Sequence, residues 1–335
     1  MATRSRVLRI GIVGCGRTAR VHLERLLAAE GVRVVGCADL KIEAARAMAA
    51  RLPAVDGEAP APAFADHREM LEATTPEAVA VFTPHLAHYR PAMDALQANC
   101  HVFIERPLST NVQEAVDITG LARGRGLKVA VGHHYRLLPS LVEARRRIGA
   151  GAIGAVRLVT AVVAQPWLAA KGGAEDSWRF DPKIAAGGVL TDPGGHLIDA
   201  LLWTTGQTAV EAAAVQSRID GGPDLVTAAA VRLADGTPVT LGVSGVSPVT
   251  LFELNYFGEN GRLKVTDTTL EEETADAPRR DVPLPGPVGT IDGDFAAALL
   301  TDAPLCCCGD EALAAVRLFE AIARSAATGQ VVRLG

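Results

Sequence analysis

The sequence predicts an α/β protein of two domains: an N-terminal doubly wound parallel sheet, then an α+β domain built on an open, mostly antiparallel sheet. Three observations predict it. At 335 residues the chain is too long for one ordinary domain and fits two of moderate size. Its first third alternates short apolar runs with helical stretches, as strand–helix–strand units do. Its remainder carries longer strand-like runs joined by hairpin turn signals. A hydrophobic content of 49% supplies apolar material for two cores.

Residues 7–13 form a near-continuous apolar run bounded by glycine, the pattern of a strand buried on both faces. A helix is expected over 20–30, where Val21, Leu23, Leu26 and Leu27 recur at helical spacing. A strand at 32–38 and a helix at 42–52 follow, then a loop rich in Pro, Gly and Ala at 53–62. Further strands at 79–82, 102–104 and 129–131 are separated by helix-like stretches, which implies a parallel sheet with right-handed crossovers. After Pro139 the texture changes. One helix at 140–148 precedes strands at 156–163, 209–217, 227–233, 238–244 and 252–257. Asp235-Gly236 and Glu259-Asn260-Gly261 supply turns between such runs. The tail, 292–328, reads as largely helical, its later part amphipathic through Ala312, Ala315, Val316, Phe319, Ile322 and Ala323. The expected domains are 1–132 and 133–335, with the C-terminal helix a candidate to pack back on the first.

Composition excludes several classes. A formal net charge of -5 argues against a nucleic-acid surface, and the run Arg145-Arg146-Arg147 reads as a solvated helix face. No stretch of about 18 uncharged apolar residues suggests a membrane span. The basic start is followed by a Gly-rich strand rather than a cleavable apolar segment, so a cytoplasmic protein is expected. Cys15, Cys37 and Cys100 fall in or beside expected strands, where a free thiol acts as a small hydrophobe. Cys306, Cys307 and Cys308 are adjacent, a poor spacing for zinc or a disulfide framework.

The first strand runs into Gly14-Cys15-Gly16-Arg17-Thr18-Ala19. Gly14 permits a tight turn, Gly16 lets a pyrophosphate approach the backbone, and Ala19 allows close helix–strand packing. The helix that begins at Arg17 and Thr18 offers free N–H groups and a positive dipole end to phosphates. Asp39 ends the second strand, where a carboxylate accepts from the ribose hydroxyls and repels a 2′-phosphate. NAD is therefore expected in preference to NADP, with Lys41 nearby as a softening influence.

Four later segments carry a resemblance. They are Thr83-Pro84-His85-Leu86-Ala87-His88, then 101–108 with Glu105-Arg106-Pro107, then Ser177-Trp178-Arg179, then 187–199 with Asp192 and His196. Together with the tail after Gly309, they make the chain resemble the glucose-fructose oxidoreductase, inositol dehydrogenase and rhizopine-catabolism (Gfo/Idh/MocA) family over nearly its full length. The resemblance implies an active site in a crevice at the carboxyl ends of the Rossmann strands. It also implies a homodimer or homotetramer formed through the second sheet, and a carbohydrate or polyol substrate. Thr83, Pro84, His88, Glu105, Trp178 and Arg179 would lie at the cofactor. Arg106, His134, Arg136, Asp192 and His196 would meet the substrate.

Asp192 and His196 are four apart, which suits one helix face, and a histidine can take the proton of an alcohol being oxidised while a carboxylate orients it. Where the family has Glu-Lys-Pro, with a lysine held to be catalytic, this chain has Glu105-Arg106-Pro107. An arginine stays protonated, so Arg106 can fix an oxygen or stabilise an alkoxide but cannot relay a proton. Pro107 is expected to keep the family's cis peptide. Lys171 and Lys183 flank Trp178 as candidate replacements for the lysine. His85 stands where the family most often has Asn, and His134-Tyr135-Arg136 replaces an Asn-Arg-Arg-like run. Strand alternation sends His133 and His134 to opposite faces. His85, His88, His134 and His196 do not point to a metal, since the resemblance gives most of them other roles. The leading expectation is an NAD-dependent oxidoreductase acting on a secondary hydroxyl of a sugar, cyclitol or glycoside. The alternatives are a redox-neutral glycosidase, lyase or epimerase working by transient oxidation, and a non-catalytic dinucleotide-binding regulator.

Overall fold

The computed structural model describes residues 6–54, 59–171, 177–181, 183–185, 187–219 and 221–334. Packing divides the chain into two units. The first takes in Met1–Ser109, Gln113–Gly132 and Gly289–Asp310; the second takes in Thr110–Val112, His133–Val288 and Glu311–Gly335.

The chain opens with β1 (Leu8–Val13), α1 (Arg17–Ala28), β2 (Val32–Ala38), α2 (Ile42–Ala49), β3 (Ala63–Phe64) and α3 (His67–Thr74). Next come β4 (Ala78–Val81), α4 (Tyr89–Gln97), β5 (His101–Ile104), α5 (Val112–Gly124) and β6 (Val129–Val131). The six strands pair in the order β3-β2-β1-β4-β5-β6, all parallel. That order reverses between β1 and β4, which is where doubly wound sheets bind ligands. β1, β4 and β5 are apolar and nearly fully buried, as strands covered by helices on both faces must be.

The second unit begins with α6 (Pro139–Gly149), β7 (Val156–Ala164), α7 (Trp167–Lys171) and α8 (Pro193–Thr205). The strands β8 (Ala209–Arg218), β9 (Asp224–Leu233), β10 (Pro238–Ser244), β11 (Leu251–Gly258), β12 (Gly261–Thr266), β13 (Leu270–Thr274) and β14 (Ala277–Asp281) follow. The tail holds α9 (Ile291–Leu300), α10 (Gly309–Thr328) and β15 (Val332–Arg333). Nine strands form one sheet in the order β14-β13-β12-β11-β7-β10-β9-β8-β15, antiparallel except for the β10–β7 pair. α6 and α8 pack together, α8 against β7 and α6 against β12. Strict alternation along β9 and β10 leaves the other face more open, with Val162, Val215 and Leu251 exposed on neighbouring strands.

Two differences from the sequence reading have physical causes. β13 and β14 were not expected, because Leu-Glu-Glu-Glu-Thr and Ala-Pro-Arg-Arg-Asp lack apolar alternation. Cross-strand ion pairs hold them instead: Arg280–Glu272 at 2.6 Å and Arg279–Glu271 at 2.9 Å, with Arg147 of α6 also on Glu272. The helical tail is broken between α9 and α10. There the Cys307 carbonyl accepts from Val131 N at 3.1 Å and Cys308 bridges Ala130, so the cysteine run pairs with the edge of the first sheet. None of the six cysteines is in a disulfide.

Candidate active site

In the first unit, the turn after β1 is built for close approach. Gly14 has φ +86°, and a Cβ there would stand 2.7 Å from the carbonyl carbon of Phe82 and from Thr83 N. Gly16 precedes α1 in extended backbone, with no side-chain cap on the helix, and a Cβ there would meet nothing within 4 Å. The first turn of α1 follows with exposed Arg17 and half-buried Thr18. Asp39 is oriented by backbone: Oδ2 accepts from Cys15 N and Oδ1 from Lys41 N, each at 2.8 Å. A carboxylate oxygen has a second lone pair, so capacity for ribose hydroxyls remains. Thr83 Oγ1 is buried with no hydrogen-bond partner among the described residues, next to half-buried Pro84. An uncapped helix start, an oriented carboxylate and an orphaned hydroxyl at the sheet's carboxyl edge fit a dinucleotide.

Arg106–Pro107 is the one cis peptide among the described residues, at the carboxyl end of β5. Glu105 and Arg106 are partly exposed, with Arg106 Nε 3.9 Å from Glu105 Oε1. His88 is fully buried, with Nδ1 2.8 Å from the Pro107 carbonyl and Nε2 2.9 Å from the Thr83 carbonyl. Both ring nitrogens face backbone carbonyls, so His88 sits between the two loops, and its one neutral-ring N–H donates to one of them. Burial, against the pull of those carbonyls, holds its pKa below the usual imidazole value. His85 is buried too, its ring edge-on to His88 at 5.9 Å.

In the second unit, α8 begins with Asp192 as N-cap and Pro193 at its first position. Asp192 does not cap with its side chain. Its Oδ2 accepts from the Trp167 indole N–H at 2.7 Å and from Arg179 Nε at 2.8 Å. The Arg179 guanidinium also lies 4.4 Å from the Trp178 ring centroid. His196, one turn into α8, stacks on Tyr135 at 4.4 Å and meets His134 edge-on at 4.7 Å. His133 also reaches it, at 6.2 Å. Both histidines converge because residues 134–137 turn into a 3-10 helix, so strand alternation does not apply to them. Lys183 is exposed, and the Lys171 side chain lies outside the described residues.

Arg136 is 2% exposed, its Nε and Nη2 donate to both oxygens of Asp199, and its Nη1 donates to Glu311 at 2.8 Å. The buried ion pair holds the guanidinium in place. Sequence reasoning passed over Asp199 and Trp167. Asp199 follows His196 by three residues, a helical spacing that could have marked it; Trp167 has no local signal. Among the described residues no three of His, Cys, Asp and Glu are grouped to hold a metal ion, and no helix is long and apolar enough to cross a membrane.

The first unit is therefore a Rossmann unit shaped for a dinucleotide, joined in one chain to an α+β unit with a His–Asp-bearing buried helix. Residues 8–133 match the model of the Gfo/Idh/MocA oxidoreductase family with its NAD-binding Rossmann fold, and residues 141–264 match that family's C-terminal domain. The chain belongs to the Gfo/Idh/MocA family of oxidoreductases. It is 28% identical to D-glucoside 3-dehydrogenase of Escherichia coli (strain K12) over 213 residues, which span 63% of this chain and 57% of that protein. It is 29% identical to UDP-N-acetylglucosamine 3-dehydrogenase of Acidithiobacillus ferrooxidans over 245 residues, 71% of this chain and 67% of that one. An oxidoreductase domain protein from Kribbella flavida shares the fold, with a TM-score of 0.87 at 22% identity over 98% of this chain and all of the other.

Proposed function

We propose that the protein is an NAD-dependent dehydrogenase acting on a secondary hydroxyl of a sugar, cyclitol or glycoside. The observation that carries the reading is the Gly14–Gly16–Asp39 cradle in a family-matched Rossmann unit. The curated relatives named above, both sugar 3-dehydrogenases, supply the substrate class. A bound nicotinamide would supply the hydride acceptor that oxidation of a carbinol carbon needs.

The chain's residues would divide the remaining work. The start of α1 holds the pyrophosphate, and Asp39 accepts from the adenosine ribose and disfavours a 2′-phosphate. His196 takes the hydroxyl proton, with its ring plane fixed by Tyr135. Asp192, anchored by Trp167 and Arg179, presents its carboxylate to the substrate as an acceptor. Arg106, permanently charged, stabilises the developing alkoxide without moving a proton. The open face of the second sheet is where we place a homo-oligomer contact.

The test is a panel of sugars, inositols and glycosides offered with NAD or NADP while NADH absorbance and product are followed together. NADH accumulating near 1:1 with product, and faster with NAD, is the expected result. Substrate consumed without net absorbance change would replace this reading by redox-neutral chemistry. Cofactor binding with no turnover across the panel would leave a regulator.

A further inference from the structure

One cluster of buried ionisable groups in the first unit has no task in the reading above. His22, on the inner face of α1, stacks on Phe82 with centroids 4.6 Å apart and lies against Phe103 at 5.5 Å. Its Nδ1–H donates to Asp292 Oδ1 at 2.7 Å. Asp292 is fully buried in the first turn of α9. On the other side of the ring, Nε2 stands 3.5 Å from Glu105 Oε2. The remaining oxygen of Glu105, Oε1, faces Arg106 Nε at 3.9 Å. Charges thus alternate along a row that leads from α9 through α1 to the carboxyl edge of the parallel sheet: Asp292, His22, Glu105, Arg106.

The surroundings leave Glu105 little choice of place. A Cβ on Gly132 would overlap Glu105 Oε2, so the glycine is what makes room for the carboxylate. We propose that His22 and Asp292 are a positioning couple that fixes the Glu105 carboxylate and, through it, the Arg106 guanidinium. The physical reason lies in the forked chemistry of the two groups. A carboxylate beside an arginine tends to turn both oxygens to it in a bidentate pair. The His22 imidazolium, 3.5 Å from Oε2, draws that oxygen toward itself and leaves Oε1 on the Arg106 side. An arginine cannot relay a proton, so all it can contribute is a charge in the right place, and its anchoring matters correspondingly more.

The couple is charged at working pH. Burial alone would depress the His22 imidazolium, but the hydrogen bond to Asp292 and the Glu105 carboxylate 3.5 Å away outweigh it and raise the pKa to about 9. The ionisable groups facing His22 are Asp292 from α9 and Glu105 from the end of β5. Arg106 lies beyond Glu105, and Arg25 of α1 lies 3.9 Å from Asp292 Oδ2. The rest of its surround is the aromatic pair.

The proposal rests on the assignment of Arg106 to the reaction, so the experiment carries readouts that need no turnover. In the unliganded protein, histidine-selective 15N NMR should show His22 titrating near pH 9, and Asp292→Asn should move that titration down by at least one unit. A crystal structure of Asp292→Asn at a pH where His22 is neutral should show Glu105 and Arg106 rearranged. With a substrate in hand, Asp292→Asn and His22→Gln should each lower kcat by about tenfold or more while the NADH dissociation constant stays within about twofold. The alkaline limb of kcat should shift to lower pH in Asp292→Asn. Glu105 and Arg106 unmoved beside a neutral His22, or an unchanged kcat–pH profile in both variants, overturns the couple. If the wild type turns over no substrate, the functional reading falls, while the NMR and crystallographic outcomes still decide the couple.

Discussion

Gly14 occupies the position with the least tolerance in the first unit, because conformation and space demand the same residue there. Its φ of +86° is strained for any L side chain, and the atoms a Cβ would meet at 2.7 Å are backbone, which cannot swing aside. Gly14→Ala should cost about 2 kcal/mol or more of stability and abolish measurable NAD binding, read by urea unfolding and NADH fluorescence. Unchanged binding would mean that the turn is not the pyrophosphate cradle. Gly16 is the contrast, since a Cβ there meets no protein atom. Its requirement would come from the ligand, so a Gly16 variant should fold normally and lose affinity only.

α8 shows what an element can do that its residues alone do not announce. It is buried along almost its whole length, so its polar residues are held by neighbours rather than by water. Asp192 at its start binds Trp167 and Arg179, His196 lies under Tyr135, and Asp199 on the next turn locks Arg136. The Arg136 guanidinium continues to Glu311 at the start of α10. One ion network thereby ties α8, the 3-10 turn carrying His134 and Tyr135, and α10. Removing one partner of a buried pair strands the other charge, which is costlier than the pair is worth. Asp199→Asn should destabilise the protein by about 3 kcal/mol, measured by chemical denaturation, and should also loosen His134 and Tyr135 around His196. A near-neutral effect would show that Glu311 alone can satisfy Arg136.

For the whole molecule, two buried ionisable groups set opposite pH dependences. His22 binds its proton more tightly in the folded state, about 9 against 6.5, so its contribution is full below pH 6.5 and lost as pH rises toward 9. That contribution is on the order of 3 kcal/mol. Burial alone would raise the Glu272 pKa, but Arg280 and Arg147 outweigh it and hold it below the ordinary 4.5. Its contribution is therefore present above pH 4.5 and lost in acid. His22 therefore makes stability decline from pH 6.5 toward 9, while Glu272, and His88 with its depressed pKa, make it decline in acid. Urea midpoints across that range would show it, and Asp292→Asn should flatten the alkaline side. A midpoint that does not fall between pH 6.5 and 9 would contradict the His22 assignment.

Much of this was legible in the chain because it is local. Apolar runs at strand length, helical spacing between them and the Gly14–Asp39 interval depend on residues near one another, so they determine the Rossmann unit and its cofactor edge. The Glu105-Arg106-Pro107 and Asp192–His196 segments were likewise readable as short strings. What the tertiary structure alone decided involves long separations or competition for one group. The fold alone sets His88 against the Pro107 and Thr83 carbonyls and Arg136 against Asp199 and Glu311. β13 and β14 are held by ion pairs that leave no apolar period. The His22–Asp292 hydrogen bond joins residues 270 positions apart, which no spacing rule can anticipate. A sequence states which groups exist; only the fold decides which of them are already spoken for.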